Sequence, residues 1–256
     1  MFTKLALDKN WVVCESNIDR EKMRFQETVF TLGNGYLGTR GILEEGYSEG
    51  YAGTYVAGVY DRGVGQSFEL VNTPNPLSIE IYANGKKLSM DGMEIVKHHR
   101  VLDIKRAVLM RHTMFRYDGK RYEYKSERFF SLKDMHIGVM AFSFISLDSD
   151  TSVVVRCAIH GTTKNEVQIM GKPKKHYTVI DTLGFGDGVI YLEAKTNDLG
   201  IVIGMASGCE VMPEAEVRSY ANEESIVREF SFDARRGKRY EFDEYISTYT
   251  SRDIEY

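Results

Sequence analysis

Within Leu32-Gly33-Asn34-Gly35-Tyr36-Leu37-Gly38-Thr39-Arg40-Gly41, four of the ten residues are glycine, and Glu44-Glu45 follows shortly after. Asn34-Gly35 favours a turn in which both central residues have positive φ, a conformation that most residues avoid. Gly38 and Gly41 leave room for another backbone or a ligand to approach closely. We therefore expect the chain to turn tightly at least twice here.

Glycine-rich loops also bind phosphate in dinucleotide-binding proteins, where G-x-G-x-x-G lies between a strand and a long helix. Gly33-x-Gly35-x-x-Gly38 has this spacing. The residues that follow, 41–47, form a segment too short and too rich in glycine for the required helix. Tight turns in a β-protein are therefore favoured over a nucleotide site.

The rest of the chain carries patterns typical of β-strands. Residues 137–145 are apolar on both faces, as in a central strand, and residues 151–159 alternate between apolar and polar. Asn84-Gly85 and Asp118-Gly119 each separate two such runs, as two-residue hairpin turns do. Many strands joined by short hairpins predict an all-β fold, a large antiparallel β-sandwich.

One short helix is expected between Asp19 and Phe30, with Asp19 as its N-cap and Gly33 as its end. No low-complexity segment or break in composition divides the sequence. Residues 1–256 are therefore interpreted as one β-domain.

Composition and charge exclude several classes of function. The formal net charge is −4, which provides no electrostatic footprint for nucleic acid or an anionic membrane. No apolar run approaches the length of a membrane span, and the first eight residues lack the apolar core of a secretion signal. Three cysteines far apart in sequence suit reduced thiols, so we expect a cytoplasmic protein.

Two pairs of adjacent residues are candidates for catalysis or metal binding: Glu44-Glu45 and His98-His99. Adjacent side chains on an extended chain point in opposite directions, so neither pair can easily act on one bond or one ion. A solvated loop pair is the favoured interpretation of Glu44-Glu45. No spacing typical of a metal site and no G-x-S-x-G motif is present. The residues by themselves identify neither a catalytic centre nor a metal site.

A set of motifs in fixed order is more specific than any single one. In chain order the motifs are Trp11-x-Val13-x-Glu15, Glu27-x-x-Phe30, Leu32–Gly41, Glu44-Glu45, Gly53–Asp61, Glu69–Asn75, Leu102–Lys105, Glu127–Ser131, Asp134-x-His136 and Tyr249–Asp253. Together they resemble the N-terminal domain of glycoside hydrolase family 65 over essentially the whole chain. That family contains maltose, kojibiose, nigerose and trehalose phosphorylases and some related hydrolases.

The resemblance implies a large antiparallel supersandwich of the galactose mutarotase kind. In full-length members a linker and an (α/α)6 barrel follow, and the barrel carries the catalytic Glu and the phosphate site. A small C-terminal β-domain comes last. The chain is therefore expected to end near the linker, and no residue in it matches the general acid of the family.

The resemblance also implies the reaction of the parent enzyme and its partners. The reaction is inverting phosphorolysis of an α-linked glucose disaccharide, with inorganic phosphate as co-substrate and no other cofactor. The expected partners are the catalytic barrel of the same polypeptide, a second subunit in a homodimer and the disaccharide, without nucleic acid or membrane.

Seven residues are candidates for contacts with the barrel or the rim of its pocket: Asn34, Tyr36, Arg40, Glu44, Glu69, Asn72 and Asn75. Arg40 would suit a carboxylate of the barrel, and pairing within the sandwich is the alternative. A structural role is favoured over a carbohydrate-binding module in which Trp11 or an exposed Tyr stacks on sugar. A free-standing mutarotase-like enzyme is a third, less favoured possibility.

Overall fold

The computed structural model describes residues 8–63, 67–166, 172–186 and 188–253. Most of the segment on which the expectation about a secretion signal rests, residues 1–7, lies outside these ranges. So do residues 254–256, where the expected linker would begin. Among the described residues, no helix has the length and apolar character needed to cross a membrane.

Nineteen strands and one α-helix make up the regular structure of the described residues, with 3₁₀ turns at Lys9–Trp11 and Arg20–Lys22. The helix is α1 (Met23–Val29). The strands are β1 (Val12–Glu15), β2 (Leu32–Gly33), β3 (Leu37–Thr39), β4 (Thr54–Val56), β5 (Tyr60–Arg62), β6 (Phe68–Leu70), β7 (Asn75–Ala83), β8 (Lys86–Lys87), β9 (Glu94–Asp103), β10 (Val108–Tyr117), β11 (Lys120–Phe130), β12 (Ile137–Ser146), β13 (Thr151–His160), β14 (Tyr177–Gly184), β15 (Ile190–Thr196), β16 (Val202–Met212), β17 (Glu216–Ala221), β18 (Ser225–Ala234) and β19 (Arg239–Thr250).

Two antiparallel sheets form the sandwich. The large sheet has nine strands in the order β1-β9-β10-β11-β12-β19-β16-β15-β14, and the small sheet has five in the order β17-β18-β13-β7-β8. Two minor sheets, β2-β3-β4 and β5-β6, come from the segment between α1 and β7. The predicted all-β antiparallel sandwich is confirmed.

The core lies between the inner faces of the two sheets, where alternate residues of each strand point inward. In β11 the inward set begins with Tyr122 and Tyr124, and in β13 it includes Val153. Phe142 of β12 stacks on Phe242 of β19 with ring centroids 4.6 Å apart. Strand β12 lies between β11 and β19 near the middle of the large sheet, as its two apolar faces predicted.

The two hairpin predictions are confirmed by backbone angles. Asn84 and Gly85 have φ of 49° and 77°, and Asp118 and Gly119 have 52° and 74°. Positive φ at both central residues is the signature of the turn that best matches strand twist. These turns join β7 to β8 and β10 to β11.

The predicted helix begins as expected and ends differently. Oδ1 of Asp19 accepts a hydrogen bond of 3.1 Å from the backbone N of Glu21, so Asp19 caps the 3₁₀ turn that leads into α1. The helix ends at Val29, because the chain turns at once into β2. The expectation that Gly33 ends the helix was therefore wrong, since Gly33 is paired with Gly38 in a β-hairpin.

Candidate functional site

The glycine-rich stretch forms the hairpin of β2 and β3, but its turn is displaced from the expected position. The backbone N of Asn34 donates to the carbonyl of Leu37 at 3.1 Å, which places Gly35 and Tyr36 at the centre of the turn. Gly35 has φ of 93°, and Asn34 is not among the described residues with positive φ. The prediction of positive φ at Asn34 was wrong, because this residue contributes its side chain instead.

Both ends of the Asn34 amide are used. Its Oδ1 accepts from the backbone N of Tyr36 at 3.0 Å and of Leu37 at 2.9 Å. Its Nδ2 donates to the carbonyls of Ser131 at 2.8 Å and Met135 at 2.9 Å, in the loop between β11 and β12. Asn34 therefore fixes the hairpin turn to the large sheet.

Tyr36 joins this turn to the last described residue. Its hydroxyl donates to Oδ2 of Asp253 at 2.6 Å, and the same oxygen accepts from the backbone N of Thr250 at 2.6 Å. The ring of His136 packs edge-on to Tyr36 at 4.5 Å and stacks on Tyr249 at 3.9 Å. Burial and the Asp253 carboxylate raise the pKa of Tyr36, so its hydroxyl keeps its proton and acts as the donor.

Arg40 is paired inside the sandwich. Its Nη2 donates to Oε2 of Glu27 at 3.1 Å and to the carbonyl of Arg24 at 2.9 Å, and its Nη1 donates to Oγ1 of Thr28 at 2.9 Å. The Arg40 side chain is 18% exposed, and that of Glu27 is 1% exposed. Of the two interpretations of Arg40, the structure shows the one in which Arg40 pairs within the sandwich.

The expectation of close approach holds for one of the two glycines. A Cβ on Gly41 would lie 2.5 Å from Cβ of Phe30 and 2.7 Å from its carbonyl oxygen. A Cβ on Gly38 would meet its nearest neighbour, the Leu32 carbonyl oxygen, at 3.8 Å, which is an ordinary contact. Gly41 is therefore required by packing against the end of α1, whereas Gly38 is not.

Glu44 and Glu45 bind the same partner. Nη1 of Arg111 donates to Glu44 at 2.8 Å and to Glu45 at 2.6 Å, and its Nη2 donates to Glu45 at 2.6 Å. The Arg111 side chain is 2% exposed. The interpretation of the pair as a solvated loop was wrong, because both residues lie in a turn rather than an extended strand and both carboxylates reach one buried guanidinium.

Further polar residues surround this ion pair. Ser126 donates to Glu44 at 2.9 Å, and the buried guanidinium of Arg128 lies near it. Burial raises the pKa of Glu44, but the charges of Arg111 and Arg128 outweigh it, so the pKa lies below its ordinary value. Glu44 is therefore ionised and fully occupied, which suits a structural carboxylate rather than a proton donor.

A second cluster of buried polar side chains, around His98, lies beside the ion pair of Arg111. Nε2 of His98 lies 3.1 Å from Oε2 of Glu15, and Nη2 of Arg100 lies 2.8 Å from the same oxygen. Burial lowers the pKa of His98, so its ring is neutral at neutral pH. The neighbouring His99 is exposed on the other face of β9. The expectation that adjacent residues diverge holds for the histidine pair.

Glu69 and Asn72 lie at a different part of the sandwich. Oε2 of Glu69 is 3.2 Å from Nε2 of His176, whose Nδ1 is 3.5 Å from Oδ2 of the buried Asp61. Oδ1 of the Asn165 side chain accepts from the backbone N of Asn72 at 2.7 Å, and its Nδ2 donates to Oε2 of Glu69 at 3.5 Å. Asn165 therefore connects Glu69 with Asn72.

Asn72 and Asn75 differ in exposure. The Asn72 side chain is buried and donates to the carbonyls of Ala52 at 2.9 Å and Lys164 at 3.0 Å. Oδ1 of Asn75 accepts from the backbone N of Leu77 at 3.1 Å, and the residue lines an open cleft that Glu44 also borders.

The structure thus separates six of the seven candidates into three groups, and the seventh, Asn75, lines the open cleft. Asn34 and Tyr36 lie beside Asp253, Arg40 and Glu44 anchor the connection 40–52, and Glu69 and Asn72 lie around Asn165. No arrangement of three or more His, Cys, Asp or Glu that could hold a metal ion occurs in the part of the chain that the structure describes. The contacts within each group are those of a scaffold.

Arg111 is the important residue that sequence reasoning did not single out. It lies on the inward face of β10, between Leu109 and Thr113. An arginine within the apolar phase of an alternating strand is a signal of a buried ion pair. That signal identifies the residue but does not identify its partners, which lie about 66 positions earlier.

Comparison with known proteins places the chain in a family. Residues 13–256 match the family described as "Glycosyl hydrolase family 65, N-terminal domain". A kojibiose phosphorylase from Thermoanaerobacter brockii is 30% identical over 98% of the chain, and a nigerose phosphorylase from Lachnoclostridium phytofermentans is 26% identical over 95%. The match covers 34% of each relative, so the chain spans about a third of the length of these curated relatives.

A solved structure supports the same fold. It is described as a proposed kojibiose phosphorylase from the human microbiome and superposes with a TM-score of 0.83 over 95% of this chain and 33% of its own, at 18% identity. At that identity the likeness concerns the fold. Taken with the family match over residues 13–256, it leads to one conclusion. The chain belongs to the N-terminal domain family of glycosyl hydrolase family 65.

Proposed function

We propose that this chain is the non-catalytic N-terminal domain of an inverting disaccharide phosphorylase and that it supports a catalytic (α/α)6 barrel that follows it in the same polypeptide. The family and the phosphorylase relatives support this proposal, since the chain spans about a third of their length. In these relatives the other two thirds of the polypeptide are available for a catalytic domain.

The bond between Tyr36 and Asp253 carries the proposal. It joins the glycine-rich turn to the last described residue, and Asn34 fixes the same turn to the large sheet. We infer that the glycine-rich hairpin, through the bond from Tyr36 to Asp253, holds the end of the sandwich from which a linker to the barrel would continue.

The proposed reaction needs one protein carboxylic acid. That acid protonates the glycosidic oxygen while a phosphate oxygen attacks the anomeric carbon from the opposite face, and the carbon–oxygen bond to the leaving sugar breaks. The products are β-glucose 1-phosphate and the released sugar. Phosphate replaces the activated water of an inverting hydrolase, so it is a co-substrate, and we propose no other cofactor.

The environment of the carboxylates described above supports the assignment of that acid to the barrel. Glu44 and Glu45 are held by Arg111, and Glu27 is held by Arg40. A general acid requires a raised pKa and access to substrate, and the lowered pKa of Glu44 is the opposite of that requirement.

Homodimer formation and a cytoplasmic location complete the proposal. Dimerisation follows from the resemblance to the family. The location is supported by the thiols, because Cys14, Cys157 and Cys209 are free, as in reducing compartments.

The experiment compares two proteins with the same first 256 residues. One ends at Tyr256, and the other continues into the residues encoded directly after it. We expect phosphate-dependent cleavage of kojibiose, nigerose, maltose or trehalose by the longer protein alone. Cleavage by the shorter protein, or a longer protein without any phosphate-dependent activity, would contradict the proposal.

A further inference from the structure

A cleft of about 410 Å³ opens on the outer face of the small sheet. One wall is the connection 42–52, and the floor and the other wall come from β7, the end of β13 and the residues after it. Binding sites for small molecules typically occupy roughly 300–1,000 Å³ and combine apolar walls with a few polar groups. The cleft has the size of such a site, and the contacts of Glu44, Glu45 and Asn75 described above engage only part of its polar lining.

Four neutral polar groups that line the cleft have hydrogen-bonding capacity left over. They are Nδ2 of Asn75, Oγ of Ser78, Oγ1 of Thr162 and Nε2 of His160, and none of them makes a hydrogen bond to another described residue. The other ring nitrogen of His160 is engaged, since it lies 3.0 Å from Oγ of Ser225. Burial lowers the pKa of His160, so its ring is neutral at neutral pH.

The charged groups of the cleft, in contrast, are already paired. Glu45 binds Arg111, and Glu80 binds Lys87 and accepts from the hydroxyl of Tyr82. Asp91 accepts from the backbone N of Ser48 at 2.9 Å and from its hydroxyl at 3.1 Å. An anionic ligand would meet these carboxylates, and a cationic ligand would have to displace an existing partner. The electrostatics therefore favour a neutral ligand.

The apolar part of the lining is small and fixed. The Tyr47 ring and the side chains of Ile42 and Leu77 border the cleft. The Tyr47 hydroxyl is bound to Glu27, so its ring is held in place. A sugar has a rim of hydroxyls that both donate and accept and a smaller apolar surface of C–H groups, which matches this combination.

We propose that the cleft between the connection 42–52 and β7 binds a neutral hexose or a short neutral glucoside, with hydroxyls on Asn75, Ser78 and His160. This binding site goes beyond the supporting role proposed above and does not depend on it. No covalent step is involved, and the ligand is recognised through hydrogen bonds and contact with Tyr47.

Calorimetric titration of the 256-residue chain with glucose, maltose, kojibiose and trehalose tests the proposal. We expect saturable binding of at least one of them with a dissociation constant on the order of millimolar, about −4 kcal/mol. Glucose 1-phosphate should bind more weakly than glucose, because its phosphate meets paired carboxylates. Heats that do not saturate up to about 100 mM sugar, a concentration roughly 100 times that constant, would overturn the proposal.

Two variants locate the site, and one serves as the matched control. Ser78→Leu fills the cleft and should weaken binding about tenfold or more. Thr162→Val removes one exposed hydroxyl without changing the shape of the side chain and should weaken binding about two- to tenfold. Ser231→Leu makes the same change as Ser78→Leu at a half-buried position of β18 that does not line the cleft, and should leave affinity unchanged. Equal effects of Ser78→Leu and Ser231→Leu, or normal binding by folded Ser78→Leu and Thr162→Val, would contradict the proposed location.

Discussion

The hydroxyl of Tyr36 lies 2.6 Å from Oδ2 of Asp253, a residue 217 positions later in the chain. Asp253 also accepts from the backbone N of Thr250, so one carboxylate closes the final turn and binds the glycine-rich hairpin. This contact connects the most distinctive stretch of the sequence with the end of the described structure. It explains why this turn needs a tyrosine.

Tyr36→Phe should lower the free energy of unfolding by about 1–2 kcal/mol, because it removes a hydrogen bond to a charged acceptor in a half-buried setting. Urea unfolding followed by circular dichroism measures the change. Tyr60→Phe is the control, since the Tyr60 hydroxyl makes no hydrogen bond to another described residue and the side chain is exposed. A loss for Tyr60→Phe as large as that for Tyr36→Phe would contradict the assignment.

Arg111→Met should destabilise the domain by about 3–5 kcal/mol, because it leaves two carboxylates without their partner in a buried setting. Arg116→Met tests the same substitution on the same strand. Arg116 pairs with Glu94 at the surface and its side chain is 45% exposed, so the expected loss is about 0.5 kcal/mol or less. Similar losses for the two variants in urea unfolding would show that the buried pair does not anchor the connection.

Gly41→Ala should lower the midpoint of thermal unfolding, because the new Cβ would lie 2.5 Å from Cβ of Phe30. The expected cost is about 1–3 kcal/mol. Gly38→Ala adds the same methyl group where the nearest atom is 3.8 Å away, and should change stability by about 1 kcal/mol or less. A larger effect at Gly38 than at Gly41 would be inconsistent with these contacts.

Stability should fall on acidification, and Glu44 should account for part of the decrease. Burial opposes ionisation of Glu44, but Arg111 and Arg128 lower its pKa below the ordinary value of 4.5. A group whose pKa is lowered by folding stabilises the folded state above its unfolded pKa, and that stabilisation is lost as the pH falls through the folded pKa. The loss therefore begins near pH 4.5 and extends below it.

Unfolding free energies at a series of pH values between 6 and 3 test this prediction. Glu44→Gln should reduce the dependence on pH in the acidic range, and Glu49→Gln, a change at an exposed residue of the same connection, should leave it unchanged. If Glu44→Gln left the dependence of the unfolding free energy on acidic pH unchanged, Glu44 would not contribute to that dependence.

The features that the sequence predicted well are those set by neighbouring residues. Asn84-Gly85 and Asp118-Gly119 form the predicted turns because few other residue types tolerate positive φ at both positions. At Asn34-Gly35 the same dipeptide pattern misplaced the turn, since Asn34 uses its side chain to bind the loop after β11. That loop lies about 97 residues away in sequence, beyond the range of a local pattern.

In the candidate site, too, local sequence patterns failed where contacts between distant residues decide the structure. Glu44 and Glu45 were expected to diverge, as on an extended strand, but the turn that they occupy brings both to Arg111. No local pattern indicates which buried arginine faces which connection, because strand pairing and sheet packing decide it. The choice of Arg40 was sound in its chemistry, and its carboxylate partner turned out to be Glu27 of α1.

The most direct test of the central proposal is phosphate-dependent release of glucose 1-phosphate from kojibiose, measured for the 256-residue chain and for the protein that continues beyond Tyr256. The proposal predicts no enzymatic release by the chain alone and measurable release by the longer protein. Release by the longer protein should decrease when Tyr36→Phe removes the hydrogen bond between the glycine-rich hairpin and Asp253. Release by the chain alone at a rate comparable with that of the longer protein would contradict it.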